Sequence, residues 1–293
     1  MHALRALLHG VVDYAGLFPP AALAMTNAVA EYATHRAGSH AWMLGRFAVP
    51  AAWLEELARA AHACLPAAGE PWRVSALAGP DLHADAVAIA AFNVAWRGRV
   101  IADAVELRAA DLTAAASALD VADRSLERYV ELPVQADLPP LLALLAERGA
   151  RAKVRTGGVT ADAFPAPREL IRFIRAALDA RVPFKATAGL HHPLSGSYAL
   201  TYEPGSARAP MYGFLNLFIA AALMGQGLED GDAVALLAEA SPDAFRFSDE
   251  SLEWRGRTIT VPELARVRRE VATSFGSCSF REPVADLQAL SLL

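Results

Sequence analysis

The sequence predicts an α/β protein folded as one closed (β/α)8 TIM barrel. Three observations predict it. Short β-type runs alternate with helical runs along the whole chain, the pattern of a parallel sheet with helices outside it. Eight such units fit into about 250 residues, the usual size of this barrel. Composition does not shift anywhere in the 293 residues, so 1–293 reads as a single domain. A doubly wound open sheet is the alternative packing of the same units.

The elements follow in order. Residues 11–13 form a short strand, followed by the loop YAGLFPPAA. A helix over 25–36 is capped by Thr26 or Asn27. Residues 41–49 are strand-like, and Pro50 opens a helix through Leu65. Strand 73–78 ends at Gly79-Pro80 and leads to helix 82–96. Strand 100–107, helix 112–119, strand 128–134 and helix 139–148 come next. Strand 152–155 and helix 168–180 precede strand 184–187. A lid-like loop over 189–209 leads to an apolar helix at 210–224. Residues 244–247 are the eighth strand. A C-terminal hairpin-helix extension occupies 252–293, with its hairpin at Arg255-Gly256 and its helix over 262–273.

Composition excludes several function classes. Hydrophobic residues make up 54% and charged residues 20%, enough for a large core and too apolar for disorder. Net charge is −5 and basic residues are scattered, so no nucleic-acid partner is expected. The longest apolar run, 211–224, falls short of the ~20 residues that span a bilayer. It reads as a core helix, and no membrane partner is expected. The N-terminal apolar run is too short for a signal peptide. Cys64 and Cys278 are too few for a disulfide framework, which points to the cytoplasm. A homo-oligomer is compatible with all of this.

Lysine usage is the informative feature. Of 27 basic residues, 25 are Arg, and the two lysines are Lys153 and Lys185. Both lie on consecutive strand-like runs just before glycine, in RAKVRTGG and VPFKATAG. Arg serves as a surface cation, but only an amine can lose its proton and become a nucleophile or base.

Strand residues alternate faces. In VIADAVELR the bulky Ile101, Val105 and Leu107 are assigned to the helices, with Asp103. Glu106 and Arg108 then face the barrel interior. The same parity turns Glu131, Lys153, Arg155, Lys185 and Thr187 inward. Barrel interiors are normally filled by branched apolar residues, so charges there must be paired and useful.

Other motifs say less. The turns at 155–158 and 187–189 could offer N–H groups to a phosphate or carboxylate. His191 and His192 suit substrate contact or proton transfer better than metal binding, since adjacent side chains diverge. Asn216 in MYGFLNLF is either a ligand contact or a packed core amide. Cys278 reads as a buried thiol. No P-loop, dinucleotide fingerprint or Gly-x-Ser-x-Gly elbow is present.

The run Lys153-Val-Arg-Thr-Gly-Gly and, 32 positions on, Lys185-Ala-Thr-Ala-Gly resembles the deoxyribose-phosphate aldolase family of class I aldolases. Asp13, followed by Tyr-Ala-Gly-Leu-Phe-Pro-Pro, is similar to that family's first-strand aspartate and apolar loop. The family's fourth-strand aspartate would fall on Asp103, whereas parity favours Glu106. The resemblance implies a (β/α)8 barrel, an imine on Lys153, and Lys185 as the second amine. The long loop after His191-His192-Pro193 and the run FRFSD, without a glycine-rich turn, point to a substrate other than a phosphorylated sugar.

The function expected is a Schiff-base lyase acting on a small anionic carbonyl compound, with no metal or cofactor. Lys153, Lys185, Glu106 and Glu131 are its catalytic residues. Asp13, Arg155, Thr187, His191, His192 and Asn216 are its substrate contacts. Repulsion from Lys185 would favour the neutral Lys153 amine. Two alternatives remain. One is a metal-dependent lyase or isomerase with Glu106, Glu131 and His191 on a cation. The other is a non-catalytic barrel that binds a small anion.

Overall fold

The computed structural model describes residues 2–293. Helix α1 (His2–Leu8) precedes strand β1 (Val12–Tyr14) and helix α2 (Met25–Ala37). Five units follow: β2 (Leu44–Pro50) with α3 (Leu54–Ala61), β3 (Trp72–Leu77) with α4 (Leu82–Ala95), β4 (Val100–Arg108) with α5 (Leu112–Val121), β5 (Glu127–Glu131) with α6 (Leu138–Glu147), and β6 (Arg151–Arg155) with α7 (Pro167–Asp179). Strand β7 (Phe184–Thr187) leads to a hairpin, β8 (Gly196–Ala199) and β9 (Arg208–Met211), then α8 (Phe214–Met224) and α9 (Asp230–Leu237). Last come β10 (Phe245–Phe247), β11 (Ser251–Trp254), β12 (Arg257–Thr260), α10 (Val261–Glu270), β13 (Ala272–Ser277) and α11 (Arg281–Ala289).

Eight parallel strands close into a barrel in the order β1-β13-β7-β6-β5-β4-β3-β2. The chain is thus a (β/α)8 barrel, as its alternation predicts. Its eighth strand is not the expected one. Residues 244–247 fall in β10, which pairs antiparallel with β11 in a separate three-stranded sheet. The barrel is closed by β13, a run that the sequence pattern assigns to the C-terminal extension, its first two residues to the helix over 262–273. Of segment 252–293, β13 is therefore a barrel strand, while β11 and β12 stay in the separate sheet. Helix α10 starts on a capping box, with Glu263 accepting from the Thr260 N–H and hydroxyl. It gives way where Ala-Thr-Ser-Phe-Gly-Ser brings poor helix formers, and that run finds β1 and β7 to pair with.

Local departures have local causes. Thr26 and Asn27 lie inside α2, whose N-cap is Ala24 with no side-chain cap. Pro50 ends β2, and a short 3-10 turn separates it from α3, which stops at Ala61 rather than Leu65. Strand β5 stops early because Pro133 has no N–H for the ladder. Helix α8 begins at Phe214 because Pro210 and Met211 pair with Ser197 and Gly196 in the hairpin. Asp81 and Asp111 cap α4 and α5 by accepting from the N–H groups of Ala84 and Ala114.

The main core lies between barrel and helices. Phe47, Val74, Val105, Val154, Phe184 and Phe275 project outward from the strands into it and are buried. Each such side chain contributes roughly 1.5–3 kcal/mol when taken out of water. Every residue of α8 is buried, as its unbroken apolar run predicts. Among the described residues no helix is long and apolar enough to cross a membrane.

Candidate active site

The interior of the barrel is polar, and its lower layer is an ion-pair network. Arg46 meets Asp103 at 2.6 Å and Glu127 at 3.0 Å, and Arg73 and Arg151 add contacts to the same carboxylates. The expectation that Asp103 faces the helices is corrected here. Val74 pairs with Ala102 and Ser75 with Ala104, so Asp103 is the extra residue of a β-bulge. The bulge resets the alternation, and both Asp103 and Glu106 turn inward. Asp103 serves this lower network; Glu106 serves the layer above.

That upper layer holds both lysines. Register places Lys153 directly opposite Lys185, and Glu131 opposite Lys153. Lys185 Nζ donates to Asp13 Oδ2 at 2.5 Å and to Glu106 Oε1 at 2.7 Å. Lys153 Nζ makes ion pairs with Glu106 Oε2 and Glu131 Oε2, each at 2.7 Å. Glu106 therefore stands between the two amines and gives one oxygen to each. Bare like-charge contact between the lysines is not what the structure shows. The two amines also differ. Lys185 touches Asp13 and Glu106 and lies over the Tyr129 ring, whereas Lys153 touches Glu106 and Glu131.

The carboxylates are held in turn. Asp13 accepts from the Arg46 N–H at 2.8 Å and from Ser274 Oγ at 2.7 Å. A side chain at Gly45 would put its Cβ 2.5 Å from Asp13 Oδ1, so glycine is required for this approach. Ser75 Oγ donates to Glu106 Oε1 at 2.7 Å. Arg155 Nε lies 3.3 Å from Glu131 Oε1. Below Lys185 the Tyr129 ring lies 5.3 Å from its Nζ, a cation–π contact.

Titration behaviour follows from these contacts. Burial by itself would lower Lys185, but Asp13 and Glu106 outweigh it and hold the ammonium above the usual lysine range. Burial would raise Glu106, but Lys153 and Lys185 bring it well below the carboxylate range. Asp13 and Glu131 are also lowered against burial, by Lys185 and Arg46 and by Lys153 and Arg155 respectively.

The cluster opens into a cavity of about 310 Å3 at the carboxyl ends of the strands. Asp13, Glu106, Lys153, Lys185, Arg155, Thr187 and His191 all line it. Phe18, Pro19 and Pro20, from the loop after β1, form an apolar wall. His191 Nδ1 lies 3.3 Å from Glu282 Oε2 and 3.9 Å from Cys278 Sγ. Burial opposes its protonation, but Cys278 and Glu282 prevail and push its pKa up to about 9. The hairpin β8–β9 reaches this rim through Tyr202, whose hydroxyl donates to Glu282 at 2.7 Å.

Two expected contacts do not belong to the cavity. His192 turns away, pairing with Asp286 at 2.6 Å and stacking on Tyr198 at 3.5 Å. Adjacent residues point apart, so only one histidine could face the ligand. Asn216 is fully buried: it accepts from the Ser195 N–H and donates to the carbonyls of Leu236 and Glu239. From α8 it ties Ser195, next to the hairpin, to the last turn of α9 and the residues after it. The two glycine turns also have a packing role, since a Cβ at Gly157 would lie 2.4 Å from the Phe164 ring.

The alternative cation set of Glu106, Glu131 and His191 is not assembled. Among the described residues no three His, Cys, Asp or Glu side chains converge as metal ligands. Sequence reading missed Ser274, Ser75, Arg46 and Tyr129. Ser274 was hidden by the misplaced eighth strand; Ser75 and Tyr129 follow from strand parity in VSAL and ERYVE.

Protein-family models give no match to this chain, and curated proteins give no similar sequence. Topology and geometry together define a (β/α)8 barrel with a buried lysine–carboxylate centre at the carboxyl ends of its strands. The cluster joins β1, β4, β5, β6 and β7, the end of the barrel where such folds carry their chemistry.

Proposed function

We propose that this chain is a lyase of the class I aldolase type, forming a Schiff base between Lys153 and a small anionic carbonyl compound. One observation carries the reading. The only two lysines of the chain are buried together in the barrel mouth and share Glu106. A structural ion pair would accept Arg; an imine would not.

The roles follow from the contacts. Lys185, fixed as a cation by Asp13 and Glu106, is unsuited to nucleophilic attack and suited to stabilising negative charge that develops on the reacting oxygen. Lys153, the lysine in the run that resembles the class I aldolases, is the nucleophile. Its neutral amine adds to the carbonyl carbon, and the carbinolamine hydroxyl leaves as water after protonation. Glu106 links the two amines and lies on the shortest route for that proton. The protonated imine then accepts the electron pair released when the Cα–Cβ bond breaks, as a β-hydroxyl of the substrate gives up its proton and the β-carbon leaves as an aldehyde. Protonation of the resulting enamine and addition of water free the product and restore the amine. Glu131 and Arg155 flank Lys153, and Thr187 and His191 offer hydrogen bonds to the ligand from β7 and the loop after it.

The test is borohydride reduction in the presence of short aldehydes and oxo acids, followed by peptide mass analysis. A reduced adduct is expected on Lys153, and Lys153→Arg should abolish it in a folded protein. An adduct confined to Lys185, or full turnover in Lys153→Arg, would overturn the assignment.

A further inference from the structure

Arg108 is the last residue of β4; its guanidinium makes no hydrogen bond or ion pair among the described residues and meets Glu131 only by longer-range attraction. Every other charged group lining the cavity is engaged. Lys153, Lys185, Glu106 and Asp13 hold one another, Arg155 holds Glu131, and His191 holds Glu282. Arg108 is nevertheless part of the same construction. It pairs in register with Glu131, which pairs with Lys153, which pairs with Lys185. Strands lie ~4.8 Å apart, so Arg108 and Lys153 are about 10 Å apart at the backbone, and both long side chains reach the cavity.

The charge balance leaves room for an anion. Arg108, Lys153, Arg155, Lys185 and protonated His191 stand against Asp13, Glu106, Glu131 and Glu282, five positive charges to four negative, an excess of one. At His191 the positive charge is already answered by Glu282. Glu282 lies beneath His191, and the N–H groups of Ser279 and Glu282 are taken by Ser277 Oγ and Ser279 Oγ. The wall at Phe18, Pro19 and Pro20 is apolar. One free planar fork and one unit of excess charge match a carboxylate better than a doubly charged phosphate.

We propose that Arg108 is the recognition group for a ligand carboxylate, and that the site takes a short oxo acid whose carboxylate sits at the end of β4 while its carbonyl reaches Lys153. The carbonyl half rests on the imine reading; the carboxylate half does not.

The test uses ligands without a carbonyl group that could react. Butanoate, its neutral isostere butanamide, and propyl phosphate are titrated into the full chain by NMR. Butanoate should bind the wild type about tenfold more tightly than butanamide, the scale of one charge-assisted hydrogen-bond pair. Arg108→Gln should erase that preference, and Arg108→Lys should keep part of it, retaining charge without the fork. Arg108 is exposed, so thermal unfolding of both variants should match the wild type. Equal wild-type affinity for butanoate and butanamide overturns the proposal, with no variant needed. So does a preference that survives Arg108→Gln. Tighter binding of propyl phosphate through Arg108 overturns the carboxylate assignment. Failure to trap an adduct on Lys153 in a protein that still prefers butanoate would remove the imine reading and leave the carboxylate subsite standing.

Discussion

Replacing Lys185 with Met keeps the volume of the side chain and deletes its charge. Asp13 is then left fully buried, with the Arg46 N–H and Ser274 Oγ as donors but no cation in contact. Breaking a buried pair from one side costs roughly 3–5 kcal/mol, and a loss of that size is expected at pH 7. The pH dependence identifies the cause. In the wild type Asp13 and Glu106 titrate below their unfolded values of about 3.9 and 4.3. Their contribution is therefore complete above those values and falls away only as pH drops through the lower folded ones. Lys185 is raised, so its contribution is complete below about 10.4 and disappears only as pH climbs through its higher folded value. Between pH 5 and 7 the wild-type cluster should contribute a constant amount. In the variant, burial would instead raise Asp13, which takes up a proton on folding as pH falls. Its deficit should shrink by up to about 1.4 kcal/mol per pH unit for one such group. Urea unfolding at pH 7, 6 and 5 measures this, and adding Asp13→Asn should recover part of the loss at pH 7. A deficit that is constant from pH 7 to 5, or below about 1 kcal/mol, would refute the electrostatic account of the cluster.

His191 should titrate near pH 9 by NMR, because Cys278 and Glu282 outweigh its burial. Its raised value contributes stability below about pH 6.5 that is lost as pH rises through 9, so His191→Gln should flatten the stability profile in that window; a midpoint below 7 would contradict the contact set. Asn216→Leu should cost roughly 2–4 kcal/mol in chemical unfolding, since it strands the Ser195 N–H and two carbonyls, while leaving butanoate binding unchanged; lost binding in a stable variant would return Asn216 to the site. Ser274→Ala should lower stability by about 1 kcal/mol through the lost hydrogen bond to Asp13, and a neutral effect would mean that bond is replaced by water.

Much of this protein is fixed by local pattern. Alternating strand and helix runs specify a parallel sheet, because each strand must bury both faces and needs a helix to return the chain. Two lysines in an Arg-rich chain stand out in the sequence, and period-2 parity puts Lys153, Lys185, Glu106 and Glu131 on one side. The seven strands from β1 to β7 were legible for that reason. The eighth was not: both 244–247 and 272–277 can form strands, and only pairing with β1 and β7 selects the second. That choice depends on contacts some 260 residues apart, of which Ser274 to Asp13 is one. Tertiary structure also decided the face of Asp103, because a bulge is a property of two strands in register. It separated His191 from His192 and buried Asn216, since a loop's path depends on what it packs against. Above all it put Glu106 between the two amines. Parity gives the direction of a side chain, but which charges end within 3 Å of one another is set by strand stagger and by the closure of the barrel.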